Sequence, residues 1–313
     1  MNRLFPNIKP PFIANAPMFG YADGGLASAV SSAGGYGFIA GGYDFSSGSA
    51  QLQALQAELD RARSLLGIQD KEASLPIGVG CLTLQTKGLI ENALPILCKA
   101  LVTGVWLSFP QHGKDHGPII QKIRELIDIC GWDVRVFVQV GTVEAAREAV
   151  ELGADVLVVQ GSDAGGHQWA HGASVMALVP EVRDLLQELG KSDEIGMIAA
   201  GGIVDARGFA AAVALGADGI AMGTRFIATT ECPAPESAKQ KVLATMDGAI
   251  TTVKSRMHDV FQNTDFWQDR YDGRAIIGPN YEDFLKGVAN DEIKRRHDEA
   301  KSRGESKRVT IWA

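Results

Sequence analysis

A single histidine follows a glycine-rich turn, and that turn follows a run of branched apolar residues. The run ends in the polar side chain of Gln160, and Gly161, Gly165 and Gly166 separate it from His167. A short apolar run bounded by turn residues predicts a strand that is buried on both faces. A titratable group beyond the C-terminal end of such a strand is typical of reaction sites in α/β folds. The alternative from these residues alone is an ordinary turn and a surface histidine.

Glycines also follow the next two predicted strands, as Gly201-Gly202 and Gly223-Thr224. In a barrel of parallel strands these two turns lie side by side, next to the turn before His167. Their backbone N–H groups form a common cradle for a phosphate, and glycine lets the backbone approach the anion closely. The two turns therefore predict a ligand that carries a phosphate, with plain turn chemistry as the alternative.

Ala16-Pro17-Met18 ends the first predicted strand, which abuts the last strand of a closed barrel. A rigid proline and a polarisable thioether suit packing against a flat ring. An ordinary core position for Met18 is equally compatible with these residues.

The elements that position these residues follow an alternating pattern of strands and helices. The predicted strands are 12–18, 37–40, 75–79, 105–107, 134–140, 155–160, 195–200 and 219–222, and helical spacing lies between them. Eight such alternations predict an α/β fold, the (β/α)₈ barrel or TIM barrel. An internal echo supports this, because the Leu-Gly-Ala-Asp sequence at 152–155 recurs at 215–218, two βα units later.

The pattern changes after the eighth strand. Residues 228–278 carry Pro233, Pro235 and several aromatic residues, and we expect them to form a mostly helical cover over the site. Residues 281–303 predict one further helix, expected to be the eighth helix of the barrel. The expected division is therefore a barrel unit of 1–227 with 279–313, and a cover or substrate segment of 228–278.

Composition excludes several classes of protein. The chain has 313 residues, 46% of them apolar, and a net charge of −7, and without a long basic stretch we expect no nucleic-acid partner. The sequence contains no run of 18 apolar residues, so we expect no membrane span. The four cysteines have no paired spacing and indicate reduced thiols and a cytoplasmic location.

Two pairs of histidines have the four-residue spacing of some metal sites, namely His112 with His116 and His167 with His171. Both pairs are predicted to lie in glycine-containing loops with no acidic third ligand nearby, so we expect no metal site.

Several stretches resemble the nitronate monooxygenases, formerly called 2-nitropropane dioxygenases. The motifs are APMFG (16–20), QGSDAGGH (160–167), AAGGI (199–203) and MGTRF (222–226), and WLSFP (106–110) and YDGR (271–274) are similar to members of fungal type. The resemblance runs from about 11 to 285. Two departures concern substrate choice: Gly80-Cys81 stands where some relatives have Asn after strand three, and Gln168-Trp169 stands where many have Arg-Gly.

The resemblance implies a non-covalent FMN in the barrel mouth and His167 as the catalytic residue. The residues that it implies for binding the cofactor are Ala16, Pro17, Met18, Gln160, Gly165, Gly166, Gly201, Gly202, Ala221, Met222, Gly223 and Thr224. The implied reaction is the oxidation of alkyl nitronates, with nitroalkanes as a further substrate, by O₂ to carbonyl compounds and nitrite. The imidazole could take the α-proton of a nitroalkane or, protonated, hold the nitro oxygens. Monomer and homodimer both remain open.

Two alternatives remain at this stage. An FMN-dependent NAD(P)H:quinone or enoyl reductase would share the QGSDAGGH motif. A flavin-free aldolase or isomerase acting on a sugar phosphate would share the phosphate turns, but no lysine lies in a predicted barrel strand to form a Schiff base.

Overall fold

Eight parallel strands form the wall of a barrel in the computed structural model, which describes residues 1, 3–262, 264, 266–303, 305 and 308–313. The prediction of a (β/α)₈ barrel is confirmed. The wall consists of β1 (Phe12–Asn15), β2 (Gly37–Gly42), β3 (Leu75–Leu82), β4 (Val102–Ser108), β5 (Arg135–Val140), β6 (Val156–Gln160), β8 (Gly196–Ala200) and β9 (Gly219–Met222). The further strands are β7 (Gly166–Trp169), β10 (Thr252–Lys254) and β11 (Tyr271–Ile276).

The seam between β1 and β2 closes through a single bridge and one side chain. Ala14 and Tyr36 form an isolated parallel bridge. The fully buried amide of Asn15 accepts from the backbone N–H of Phe38 at 2.9 Å and donates to its carbonyl at 2.8 Å. The Asn15 side chain thus replaces the backbone ladder that the two strands lack here, and it satisfies buried polar groups of β2.

Helices cover the outside of the barrel and continue into the C-terminal part of the chain. The chain also has a π-helical turn at Leu89–Ala93 and a 3₁₀ turn at Gly113–Asp115. The helices are α1 (Gly24–Ser32), α2 (Ala50–Leu65), α3 (Thr86–Gly88), α4 (Leu94–Ala100), α5 (His116–Cys130), α6 (Val143–Glu151), α7 (Val175–Glu188), α8 (Ala206–Ala214), α9 (Thr224–Ile227), α10 (Glu236–Ala244), α11 (Gly248–Thr251), α12 (Met257–Gln262), α13 (Pro279–Leu285) and α14 (Asn290–Ser302).

Strand β6 is buried on both faces, as its apolar run predicts. Val156 and Val158 belong to the core inside the barrel, whereas Leu157 and Val159 belong to the core between the wall and the helices. This alternation follows from the two-residue period of a strand. Much of the inner core is aromatic: Phe5, Phe12, Tyr36, Phe38, Trp106 and Phe137.

The Leu-Gly-Ala-Asp echo marks equivalent positions in the barrel, as predicted. Oδ2 of Asp155 accepts from the backbone N–H of Val136 at 2.7 Å, and Oδ2 of Asp218 accepts from that of Met197 at 2.8 Å. Each aspartate therefore ties the start of its strand to the neighbouring strand.

The segment after β9 combines helices with a small sheet. It contains α10, α11 and α12, together with β10 and β11. These two strands form an antiparallel sheet with β7, in which His167 lies opposite Gly273. The expectation that His167 lies on a loop is therefore wrong. The reason is tertiary, because β7 forms only by pairing with a strand about a hundred residues further along the chain.

The single helix predicted for residues 281–303 is also wrong. The chain forms α13 and α14, with a break at Gly287, whose φ is 79°. Helix α14 packs against α12 and α13, so the expected role of an eighth barrel helix does not fit its packing. In the described residues, no helix is long and apolar enough to span a membrane.

His116, at the start of α5, is a buried neutral histidine. Thr83 donates its only hydroxyl hydrogen to the carbonyl of Ser108 at 2.9 Å, so its oxygen accepts from Nε2–H of His116 at 3.0 Å. Burial, and secondarily the charge of Arg270, lowers the pKa of His116 from 6.5 to about 3. The unfolded chain therefore binds a proton that the folded chain does not as the pH falls from 6.5 towards 3, and stability falls with it.

We expect His116→Gln to weaken this acid sensitivity. Between pH 7 and pH 5 the loss of unfolding free energy should be smaller in the variant by about 2 kcal/mol, because pH 5 lies roughly 1.5 units below the ordinary pKa of histidine. Urea unfolding at both pH values measures the two losses. Equal losses in the variant and the natural protein would assign the acid sensitivity to other groups.

Candidate active site

A cavity of about 780 Å³ opens at the C-terminal ends of the barrel strands, beneath residues of the cover. Its size suits a cofactor with a substrate. Of the residues predicted for the site, the cavity is lined by Ala16, Pro17, Met18, Gln160, Gly165, Gly166, His167, Gly201, Gly202, Ala221, Gly223 and Thr224. Met222 is the exception. It packs against the outer core because strand alternation turns it away from Ala221.

His167 is held by an acidic partner and two indole rings. Its Nε2 lies 2.9 Å from Oδ1 of Asp259, on the cover helix α12. The side chain of Asp259 is 4% exposed and that of His167 is 15% exposed. The Trp267 ring stacks on the imidazole at 3.9 Å, and the Trp312 ring lies at 4.5 Å. Cover and barrel therefore meet at this imidazole.

A chain of side-chain hydrogen bonds orients the amide of Gln160. The indole of Trp106 donates to Oε1 of Gln139 at 3.0 Å, and Nε2 of Gln139 donates to Oε1 of Gln160 at 2.8 Å. Nε2 of Gln160 then donates to the backbone carbonyl of His167 at 3.1 Å. Because an indole can only donate, the order of donors and acceptors is determined from Trp106 onwards. One amide hydrogen of Gln160 remains for a ligand.

The predicted phosphate turns form a cradle that side chains would fill. Gly201 has a φ of 115° and Gly202 a φ of 68°, a region that favours glycine. A Cβ on Gly202 would lie 3.1 Å from Cβ of Asp163, and one on Gly201 would lie 3.0 Å from the Ala164 nitrogen. In the described part of the chain, the N–H groups of Gly202 and Gly223 have no acceptor. Such groups on a cavity wall fit a phosphate.

Ala16, Pro17 and Met18, which follow β1, form an apolar part of the cavity wall. A Cβ on Gly80 would lie 2.3 Å from Pro17, so only glycine allows this packing. The thioether of Met18 lies beside Gly223. Cys81 is buried, and burial raises the pKa of its thiol to about 12, so the thiol is unreactive.

Arg274 brings a positive charge to the cavity wall. Its guanidinium donates to the backbone carbonyl of Ser162 at 3.2 Å and to Oγ1 of Thr252 at 3.1 Å. The group thus joins β11 of the cover to the glycine-rich turn after β6. A cation here favours anionic ligands in the cavity.

Three of the residues around the imidazole escaped the sequence analysis: Asp259, Trp267 and Trp312. They lie about 90 to 145 residues beyond His167 in the chain, in stretches without helical or strand periodicity. The Trp312 ring packs against the backbone of Gly273, where a Cβ would lie 2.3 Å from the indole. The aromatic residues of 228–278 were the only signal, and they indicated a cover without indicating its contacts. Among the described residues, no group of three or more His, Cys, Asp or Glu residues could hold a metal ion.

A glycine cradle and a partly buried histidine at the C-terminal ends of the strands are typical of α/β-barrel enzymes, and comparisons with known proteins specify the family. Residues 125–301 match the family model described as nitronate monooxygenase. A nitronate monooxygenase of Neurospora crassa is 43% identical over 100% of this chain and 85% of its own length. The chain belongs to the nitronate monooxygenase family. It is therefore an oxidoreductase, and the family implies a flavin cofactor.

Solved structures agree on the fold. A nitroalkane oxidase of Streptomyces ansochromogenes has a TM-score of 0.70 at 25% identity, with 97% of this chain and 89% of that chain covered. FabK of Thermotoga maritima has a TM-score of 0.71 at 24% identity, with 100% of this chain and 87% of that chain covered, and shows likeness of fold alone.

Proposed function

We propose that the protein uses FMN to oxidise alkyl nitronates, and nitroalkanes after their deprotonation, with O₂ to carbonyl compounds and nitrite. The observation that carries this proposal is the position of His167, which lies on the cavity wall beside the glycine cradle with its Nε2 on a buried carboxylate. A proton acceptor and an anion cradle in one apolar cavity suit a weak carbon acid whose anion must be held near a flavin.

The cofactor contacts that we propose follow the cavity wall. Gly165, Gly166, Gly201, Gly202, Ala221, Gly223 and Thr224 hold the phosphate end of FMN. Ala16, Pro17 and Met18 line one face of its ring, and the free amide hydrogen of Gln160 meets the ring edge. We leave Met222 out, because its side chain points away from the cavity. When bound, FMN supplies electron transfer between the nitronate and O₂.

The chain's own residues then position the substrate and move its proton. His167 takes the α-proton of a nitroalkane, and Arg274 attracts the anion that results. The rings of Trp267, Trp312 and Phe266 keep the substrate side of the cavity apolar and exclude water, which strengthens these charge interactions. We propose residues 1–227 with 279–313 as the FMN-binding unit, in which α14 lies beside the cover and not among the barrel helices. Residues 228–278, together with Trp312, contribute the substrate side.

The four free cysteines support a reducing, cytoplasmic location, which is part of the proposal. The proposed binding partners are a small nitro compound and O₂. The enzyme that binds them is a monomer or a homodimer.

We expect the purified protein to be yellow, or to become so with FMN. Anaerobic mixing with an alkyl nitronate should bleach the flavin absorbance, whereas mixing with NADH or NADPH should leave it unchanged on the same time scale. Bleaching by NAD(P)H alone would replace this proposal with the reductase alternative. A colourless protein that takes up no FMN in a titration would contradict the proposed flavin cofactor. It would instead favour the flavin-free enzyme that acts on a sugar phosphate.

A further inference from the structure

The contact of Asp259 with His167 supports the proposed function, but the carboxylate has no task of its own in it so far. We propose that Asp259 is a positioning residue, which holds His167 in the tautomer whose Nδ1 accepts the α-proton of a nitroalkane. This inference rests on the proposed function and adds to it both a residue and the reacting atom.

The carboxylate of Asp259 is built into its place. It is almost fully buried, and its Oδ1 accepts from the hydroxyl of Thr264 at 3.0 Å as well as facing Nε2 of His167 at 2.9 Å. Burying a carboxylate is costly unless hydrogen-bond donors compensate for the loss of water. Asp259 therefore needs a hydrogen on Nε2 of His167.

That need determines the tautomer of the imidazole. An ionised carboxylate can only accept, so the Nε2 that faces it carries the hydrogen. A neutral imidazole has one N–H, and Nδ1 then carries the lone pair. Within the described ranges, Nδ1 of His167 has no hydrogen-bond partner, and the residue lines the cavity. Nδ1 is thus the atom that is free to act as a base.

The proton transfer is balanced without a further reactant. The α-carbon–hydrogen bond of the nitroalkane breaks, its electron pair moves into the nitro group to give the nitronate, and the proton forms a bond to Nδ1. The imidazolium that results has N–H on both nitrogens, and Asp259 stabilises its charge through Nε2. The Trp267 ring, stacked at 3.9 Å and 16°, keeps the imidazole in this plane.

A purely structural alternative explains the same contact. The pair also joins helix α12 of the cover to β7, and a buried hydrogen bond can hold two segments together without acting in chemistry. The two roles differ in their consequences. A positioning residue matters only for the substrate that must lose a proton, whereas a structural latch matters for both substrates and for cofactor binding.

The experiment compares Asp259→Asn with the natural protein on a neutral nitroalkane and on its pre-formed nitronate. Asparagine keeps the size and the bond from Thr264, but its amide can donate to Nε2 and move the hydrogen to Nδ1. We expect kcat/KM for the nitroalkane to fall by roughly 10- to 10³-fold, with the nitronate within about threefold and FMN content unchanged. Asp269→Asn is the matched control, because Asp269 is 95% exposed on the same cover, and it should change neither rate.

A double variant makes the test sharper. If Asp259 acts only through His167, then His167→Asn with Asp259→Asn should be no slower on the nitroalkane than His167→Asn alone. Three outcomes would each overturn the positioning role: a rate loss in the double variant equal to the product of the two single losses, equal losses of Asp259→Asn on both substrates, or unchanged rates in Asp259→Asn.

If Asp259→Asn folds poorly, Asp259→Glu replaces it, because glutamate moves the carboxylate by one methylene. The ratio of the nitroalkane rate to the nitronate rate decides: a selective loss on the nitroalkane supports the role, and an unchanged ratio overturns it. Wild-type turnover of both substrates, with a selective loss in His167→Asn, establishes the proposed function independently of these outcomes.

Discussion

Replacing His167 with asparagine should abolish most activity on neutral nitroalkanes and spare activity on nitronates. Loss of a general base typically costs roughly 10²- to 10⁴-fold in rate. The pre-formed nitronate has already lost its proton, so its oxidation needs only the cavity and the cofactor. FMN content should stay near that of the natural protein, because Gly201, Gly202, Gly223 and Thr224 line the cavity from other turns and the exchange leaves the backbone of Gly165 and Gly166 in place.

Stopped-flow kinetics on the two substrate forms, together with the flavin content of each variant, measure this difference. His171→Asn is the matched control, since His171 is exposed two residues beyond β7 and should tolerate the same exchange. Equal losses on both forms would show that the imidazole orients or charges the site without removing a proton. Unchanged rates on both substrate forms would show that His167 has no role in the reaction.

Replacing Gly202 with valine should weaken FMN binding to a barrel that still folds. The new side chain would occupy the cradle, 3.1 Å from Cβ of Asp163, and the phosphate would lose backbone donors. A hydrogen bond to a charged group contributes about 1.5–3 kcal/mol, so the affinity for FMN should fall by roughly 10- to 100-fold. A titration of apoprotein followed by flavin fluorescence measures it.

The same exchange at Gly190 separates strain from ligand loss. Gly190 has a φ of 66°, almost that of Gly202, and no atom lies within 4 Å of the position of its Cβ. Both variants should therefore lose a similar stability, roughly 1–2 kcal/mol for a left-handed side chain. Only the Gly202 variant should lose FMN affinity. Retention of affinity in Gly202→Val would show that this turn does not hold the phosphate.

The strand ends were predictable because each depends on a few adjacent residues. Gln160, Gly202 and Gly223 each follow an apolar run within one or two residues, and parallel strands bring their C-terminal ends to one rim. The internal echo at Asp155 and Asp218 was predictable for the same reason. Local order along the chain was sufficient to bring these residues together, and the structure places them around one cavity.

The environment of His167 was beyond such reasoning. Its strand exists only through pairing with β11, its carboxylate comes from α12, and its rings come from Trp267 and Trp312. No regular spacing of residues in the sequence predicts these contacts. The number of residues between the partners depends on the barrel units that lie between them in the chain.

The sequence by itself therefore determined the barrel, the glycine turns at the strand ends and the position of the histidine along the chain, since periodicity and glycine act over a few residues. Only the tertiary structure decided that His167 lies on a strand, that Asp259 faces its Nε2 and that Met222 points outward. The physical reason is that hydrogen bonds and ring packing between distant segments depend on how the cover closes over the barrel, and no local pattern of residue types encodes that closure.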